Sequence, residues 1–311
     1  MTHKKLNWGI TQIDTGFVRK DMAACYLLEQ NGEVAIIETG IKSTVAKILA
    51  LLTEKNIALE QVKYIIPTHV HLDHAGGVGL LMHSLPNAKL VIHPFGARHM
   101  ADPSKLQAGA IAVYGETIFK ETYGELIPVD ESKMILADDG FELTLGDRTL
   151  TFYDTPGHAR HHFCIYDSLS EGIFTGDTFG LAYTELTYQN IPFIFPTTTP
   201  VQFDPDAMKA SIKKLIALSP QRLFLTHYGM IDVTKYIEEE MNEQIDGFVE
   251  IALKHKLSEN RQQLIASDLM SYIISRKQAQ GLEFDEQFAK QVIGADMKLN
   301  AQGLHVWLDK Q

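Results

Sequence analysis

The chain has 311 residues, enough for one large domain or one domain with an appendage. Its 45% hydrophobic and 22% charged content are ordinary for a globular protein and exclude a disordered one. A net charge of −11 with no Lys/Arg block argues against a nucleic-acid backbone as partner, since that contact is largely cationic.

The chain order opens with an N-terminal meander, read from apolar or alternating runs at 8–14, 24–30 and 33–39, with Asn31-Gly32 as hairpin turn. Residues 44–55 carry Val45, Ile48, Leu49 and Leu52 at helical spacing, and 62–67 is a short β-branched strand. A helix is predicted over 75–84, a short strand over 90–93 and a further helical turn over 94–100. Residues 108–123 mix apolar and aromatic side chains without a clean period and read as a partly helical flap. Two hairpins follow, 141–145 with 149–154 around Gly146-Asp147, and 163–167 with 172–175. A helix over 205–218 has Asp204 as N-cap, and 222–226 is a last strand.

Past Ile231 the strand signal ends, and 235–256, 259–280 and 285–293 read as successive helices. Gly281 punctuates them and Gly303 interrupts the tail, where 300–304 is a candidate to dock back. The expected division is an α/β domain over 1–232 and a helical module over 233–311. No apolar stretch approaches the ~20 residues of a membrane span, and no apolar core follows the N-terminal Met1-Thr2-His3-Lys4-Lys5. Cys25 and Cys164 fall inside predicted strands and read as small core residues in a reducing compartment. The expectation is a cytoplasmic protein acting on a small molecule, without nucleic-acid or membrane partners and with its oligomeric state open.

The most informative segment is Thr68-His69-Val70-His71-Leu72-Asp73-His74, which follows the strand at 62–67. His69 and His71 share one side of an extended segment, and Asp73 and His74 come where the chain turns into a helix. Imidazole with carboxylate suits zinc, iron or manganese better than calcium or magnesium. Further donors lie just past other predicted strands: His158 after Asp154-Thr155-Pro156-Gly157, Asp177 after Thr175-Gly176, and His227 after Leu225-Thr226. Ligand groups at the C-terminal ends of several strands are how an α/β scaffold gathers one site. His3, His83, His93, His99, His255 and His305 have no such context and read as surface or structural residues.

This pattern resembles the metallo-β-lactamase-fold hydrolases, and within them the glyoxalase II-like members, from the meander through His227. The resemblance implies a four-layer αββα sandwich, here with a C-terminal helical extension, and a binuclear metal site. It puts one ion on His69, His71 and His158 and the other on Asp73, His74 and His227, with Asp177 bridging. Two divalent ions are implied, zinc first, with iron or manganese as alternatives. A hydroxide shared by such ions is a nucleophile at neutral pH, and Asp73 would orient it and take its proton. The implied activity is metal-dependent hydrolysis of an ester-type bond: thioester, lactone or phosphodiester.

The family segment Gly-His-Thr-x-Gly-His reads here Gly157-His158-Ala159-Arg160-His161-His162, which puts His162 and His161 just outside the ligand set. His161 in place of glycine, and Tyr228 after the last ligand, put a glutathione-thioester substrate in question. Candidate substrate contacts are Arg19 and Lys20, which could grip an anionic group, then Tyr183, Phe193 and Phe195, and finally Tyr228. Tyr183, Phe193 and Phe195, with the flap and the C-terminal helices, are expected to cover an apolar acyl or ring-bearing substrate. Two alternatives use the same fold: a mononuclear iron sulfur dioxygenase and a non-catalytic ligand-binding or regulatory protein. A nuclease ranks last, for want of an inserted nucleic-acid-binding domain and of positive charge.

Overall fold

The computed structural model describes residues 3–281 and 285–311, so Met1 and Thr2 of the N-terminal segment lie outside it. The meander consists of β1 (His3–Lys5), β2 (Ile10–Asp14), β3 (Ala24–Gln30) and β4 (Glu33–Ile37), all antiparallel. The turn between β3 and β4 needs positive φ at both central residues, and Asn31 (49°) and Gly32 (81°) supply it. Helix α1 (Lys42–Glu54) then leads into three parallel strands, β5 (Val62–Ile66), β6 (Lys89–Ile92) and β7 (Met134–Leu136). Between them run α2 (Leu72–Ala75), α3 (Val78–Ser84), α4 (Pro94–Ala101), α5 (Ser104–Tyr114) and α6 (Glu116–Thr122).

A second sheet holds β8 (Glu142–Leu145), β9 (Arg148–Asp154), β10 (Phe163–Asp167), β11 (Gly172–Leu181), β12 (Arg222–His227) and β13 (Gly229–Asp232). Its spatial order is β13-β12-β11-β10-β9-β8, and α7 (Pro205–Ile216) precedes β12 in the chain. Asp204 caps α7 by accepting from the Ala207 amide at 3.1 Å.

Both faces of the first sheet are buried, and strand alternation decides what each face meets. Cys25, Leu27, Val34 and Ile36 pack on Val45, Ile48 and Leu52 of α1 and Val78 and Leu81 of α3. The alternate set, Ala24, Tyr26, Leu28, Ala35 and Ile37, meets Leu150, Phe152, Phe163, Ile165, Phe174 and Phe224 of the second sheet. The fold is thus the α/β sandwich expected, with helices α8 (Ile237–Lys254), α9 (Arg261–Ala279) and α10 (Glu286–Leu308) closing the chain. No helix of the described residues is long and apolar enough to cross a membrane. Cys25 and Cys164 are both buried, as expected of core residues.

The chain folds as two compact units. One comprises the residues up to Asp154 with His161–Gly176 and Pro220–Met230; the other comprises Thr155–Arg160, Asp177–Ser219 and Ile231–Gln311.

Several elements differ from the sequence reading. Strands β1, β7 and β13 are three or four residues long and show no alternation of their own, so only pairing with a neighbour defines them. The flap resolves into α5 and α6, broken at Gly115 (φ 83°). Gly303 does not interrupt the tail: α10 runs through it, and a Cβ there would lie 1.4 Å from the Thr198 carbonyl oxygen. Asn300 docks the same stretch, accepting from the Thr198 amide at 2.7 Å and donating to the Pro196 carbonyl at 3.3 Å.

Within the second unit, Lys277 of α9 is fully buried (0% exposed) with its ammonium 4.7 Å from the centre of the Phe193 ring and 2.9 Å from Gln280 Oε1. Burial draws its pKa down from 10.5 to about 8. The unfolded chain therefore holds this proton across a range in which the folded chain has lost it, so stability rises with pH. Urea unfolding of the wild type, referred to Lys277→Met, is expected to gain stability between pH 8 and 10.5 and to be flat below pH 7.

Candidate metal centre

Strand β5 ends at Ile66, and Pro67 ends the ladder because it has no N–H to give. The chain then bends at Thr68 and His69, where the sequence reading expected an extended run, and reaches His71 at the N-cap position of α2 (φ −63°, ψ 147°). His69 Nε2 and His71 Nδ1 consequently converge to 2.9 Å, while His69 Nδ1 lies 3.1 Å from Thr68 Oγ1. One turn of helix then brings Asp73 and His74 alongside.

His74 and His227 are held alike. His74 Nδ1 lies 2.9 Å from Glu38 Oε1, and His227 Nδ1 lies 2.8 Å from the Met22 carbonyl oxygen. Each acceptor fixes the proton on Nδ1 and leaves the Nε2 lone pair facing outward. Both Nε2 atoms face one oxygen, Asp73 Oδ2, at 3.6 Å from His74 and 3.4 Å from His227. Asp73, His74 and His227 offer donor atoms within 4.8 Å of one another, and both imidazoles are buried. A borderline cation such as zinc suits this donor set, a carboxylate and two imidazoles oriented by outer partners.

Glu38, which the sequence reading passed over, organises this unit. It is 1% exposed, with φ at 63° at the end of β4. Its carboxylate accepts from Thr68 Oγ1 (2.6 Å), the Thr68 amide (3.1 Å), His74 Nδ1 (2.9 Å) and Thr226 Oγ1 (3.0 Å). Two of those donors flank His69 and His227 in sequence. The available signal was an acidic residue closing an apolar strand just before Thr39-Gly40.

In the second unit, His158 and Asp177 meet, Nε2 to Oδ2 at 3.4 Å, both buried. The approach to His158 is pinned to α7: the Gly157 carbonyl accepts from the Asp204 amide at 2.8 Å, and that of Pro156 from Ser211 Oγ at 2.6 Å. A Cβ on Gly157 (φ 132°) would lie 2.4 Å from the Met208 backbone, so only glycine fits. Gly176, which carries the chain into Asp177, is equally constrained: a Cβ there would meet His162 Nε2 at 2.4 Å and Thr68 Oγ1 at 2.5 Å.

His162 is fully buried with its ring 4.9 Å from that of His69, and His161 lies 5.7 Å from the His71 ring and 6.0 Å from the His99 ring. His99, read from sequence as surface or structural, thus belongs to the histidine cluster; burial, then Arg98 and Lys105, lower its pKa. His93 is structural as expected, with Nε2 3.1 Å from Asp154 Oδ1 at the end of β9.

The aromatic residues expected over a substrate lie within the second unit. Tyr183 and Phe195 are fully buried and Phe193 nearly so. Tyr183 donates to Asp296 Oδ1 at 3.0 Å, Phe193 lies under Lys277, and Phe195 pairs through its backbone with Leu181. These rings pack inside the second unit, because strand β11 and its bridge to 195 turn them inward. Tyr228 is half-buried against the core between the sheets; burial, then its hydrogen bond to Asp21, raise its phenol pKa. Arg19 is half-buried with Nη1 donating to the Lys20 carbonyl at 3.2 Å, and Lys20 is exposed with its ammonium 3.7 Å from Asp21.

Replacing Glu38 removes the acceptor that orients His74 and secures Thr68 and Thr226. Glu38→Ala is expected to weaken metal binding by about 10- to 100-fold, with Glu38→Gln intermediate, as read by competition with a chromophoric chelator.

Comparison with known proteins places the arrangement in context. The Metallo-beta-lactamase superfamily family model matches residues 18–227. A metallo-beta-lactamase fold-containing protein of Sulfurisphaera tokodaii is 27% identical over 76% of this chain and 84% of its own length. A crystal structure of an archaeal superfamily protein from Sulfolobus tokodaii superposes with a TM-score of 0.67 at 22% identity, over 95% of this chain and 98% of that one. An acyl-coenzyme A thioesterase of Homo sapiens is 25% identical over 56% of this chain, which spans 65%, under two thirds, of that protein. Hydroxyacylglutathione hydrolase 1 of Vibrio vulnificus is 24% identical over 73% of this chain and 71% of its own.

Proposed function

The chain belongs to the metallo-beta-lactamase superfamily, and we propose that it is a metal-dependent hydrolase of an ester-type bond. The observation that carries this reading is the shared orientation of His74 and His227, each fixed through Nδ1 and each presenting Nε2 to Asp73 Oδ2. Such ordering of imidazoles by outer partners serves ligation and has no packing purpose.

In this reading Asp73, His74 and His227 hold one divalent ion, and His69, His71 and His158 a second, with Asp177 between them. Bound there, two divalent ions would make water nucleophilic at neutral pH and polarise the scissile carbonyl or phosphoryl oxygen.

The chain's own residues do the rest. Asp73 orients the attacking water and takes its proton at a carboxylate oxygen. Glu38 holds the His74 ring, and the Met22 carbonyl the His227 ring, so that neither rotates as charge develops. Arg19 and Lys20 stand in the same loop as Met22 and would meet an anionic part of the substrate. The human relative's thioesterase name puts a thioester first among thioester, lactone and phosphodiester.

Elemental analysis of untagged protein prepared without chelator is expected to give two equivalents of zinc or manganese per chain. His71→Ala and Asp177→Ala should each lower that content and reduce ester turnover by at least about 1000-fold. Full turnover with normal metal content in either variant overturns the assignment, and one equivalent of iron with oxygen uptake replaces hydrolysis by dioxygenation.

A further inference from the structure

The flap carries a cluster that neither the metal ligands nor the sandwich core explains. Ile41, Leu72, Phe119, Tyr123 and Leu126 are buried together, with Phe17, Leu106, Ala110 and Ile111 packed against them and only partly covered. Leu72 is the residue between His71 and Asp73, so the cluster begins one residue from the candidate ligands on either side. The Phe119 and Phe17 rings lie 5.7 Å and 6.4 Å from that of Tyr123, which fixes α6 and the β2–β3 loop against one anchor.

Helix α5 is the unfinished side. From Ala108 to Ala112 it carries no charged or polar side chain, yet Ala108, Gly109 and Ala112 are exposed and Ile111 is half-exposed. A helix this apolar that is not enclosed by its own fold leaves a face for something else. Beside a reaction centre, the part of the substrate that does not react is the occupant that a wall can serve, because its binding positions the bond to be cleaved. The side chains just named are all apolar, which fits hydrocarbon. Leu106 and Ala110 lie one turn apart on one face of the helix, and with Ile111 they span six residues, about 7.5 Å, a length that suits a chain better than a single ring.

We propose that α5 and α6, with Phe17 and Leu72, form the wall for the acyl chain of a medium-chain ester or thioester. The proposal rests on the hydrolase reading for the reaction, and on the flap alone for the substrate class. It moves the role expected of Tyr183, Phe193 and Phe195 to a different part of the chain.

The test uses the full-length, metal-loaded protein with p-nitrophenyl esters from acetate to dodecanoate. In parallel, calorimetry measures binding of the matching free carboxylates to the protein as purified, below their micelle concentrations. The expected result is that kcat/KM and carboxylate affinity both rise with chain length, by up to about fourfold per methylene. Ile111→Asp should flatten both slopes, and Phe17→Ser should do the same should the first variant not fold. Turnover of the acetate ester with no chain-length slope in either measurement overturns the acyl wall and leaves the hydrolase reading standing. Chain-length-dependent carboxylate binding that Ile111→Asp removes, without turnover of any ester, upholds the wall and overturns hydrolysis.

Discussion

One buried carboxylate orders the metal-facing end of the first unit. Glu38 accepts four hydrogen bonds, from Thr68 twice, from His74 and from Thr226, and no water need reach it. An anion buried without such donors would be strongly unfavourable, so the loops that carry these residues are held where the carboxylate needs them. The loop after β5, helix α2 and the end of β12 are thereby fixed to the end of β4. Glu38 takes a left-handed backbone conformation, which costs on the order of 1 kcal/mol or more and persists only when its surroundings enforce it.

Backbone bonds repeat the same tie. The Thr39 amide and hydroxyl both donate to the His74 carbonyl at 2.8 Å, and the Glu38 amide donates to the Ile66 carbonyl at 3.0 Å. The first turn after the histidine segment is therefore locked through its main chain as well as its side chain. A ligand imidazole so held loses little further freedom when it binds, which is the basis of preorganised affinity. The second unit uses another device for its own pair. There glycine at 157 lets the chain press on α7, and His158 meets Asp177.

The apolar side chains divide by task in the same physical terms. Rings in the segment after Asp177 are enclosed and satisfied: Tyr183 by Asp296, and Phe193 by the ammonium of Lys277. They stabilise the second unit. Flap residues beside Leu72 stay partly open. An aromatic residue is thus no guide by itself to a binding surface, since interior packing takes most of them.

The sequence by itself determined the sandwich's main strands, the cap of α7 and the types of donor available. Period-two alternation, Asn31-Gly32 and the Thr68–His74 spacing are local signals that survive into the fold. Strands β1, β7 and β13 were not legible, because strands of three or four residues exist only through their partners. Nor could the tail be read: Gly303 looks like a helix breaker, and only the approach of the Thr198 carbonyl shows why glycine stands inside a continuous helix. Glu38 and His99 were missed for one reason. A carboxylate's hydrogen-bond partners 30, 36 and 188 residues away, and an imidazole's neighbour at His161, are matters of packing that no local pattern records. The sequence chose the chemistry of the donors, because residue type is local. The tertiary structure decided which nitrogen each histidine presents, because that depends on the acceptor folded against the other one.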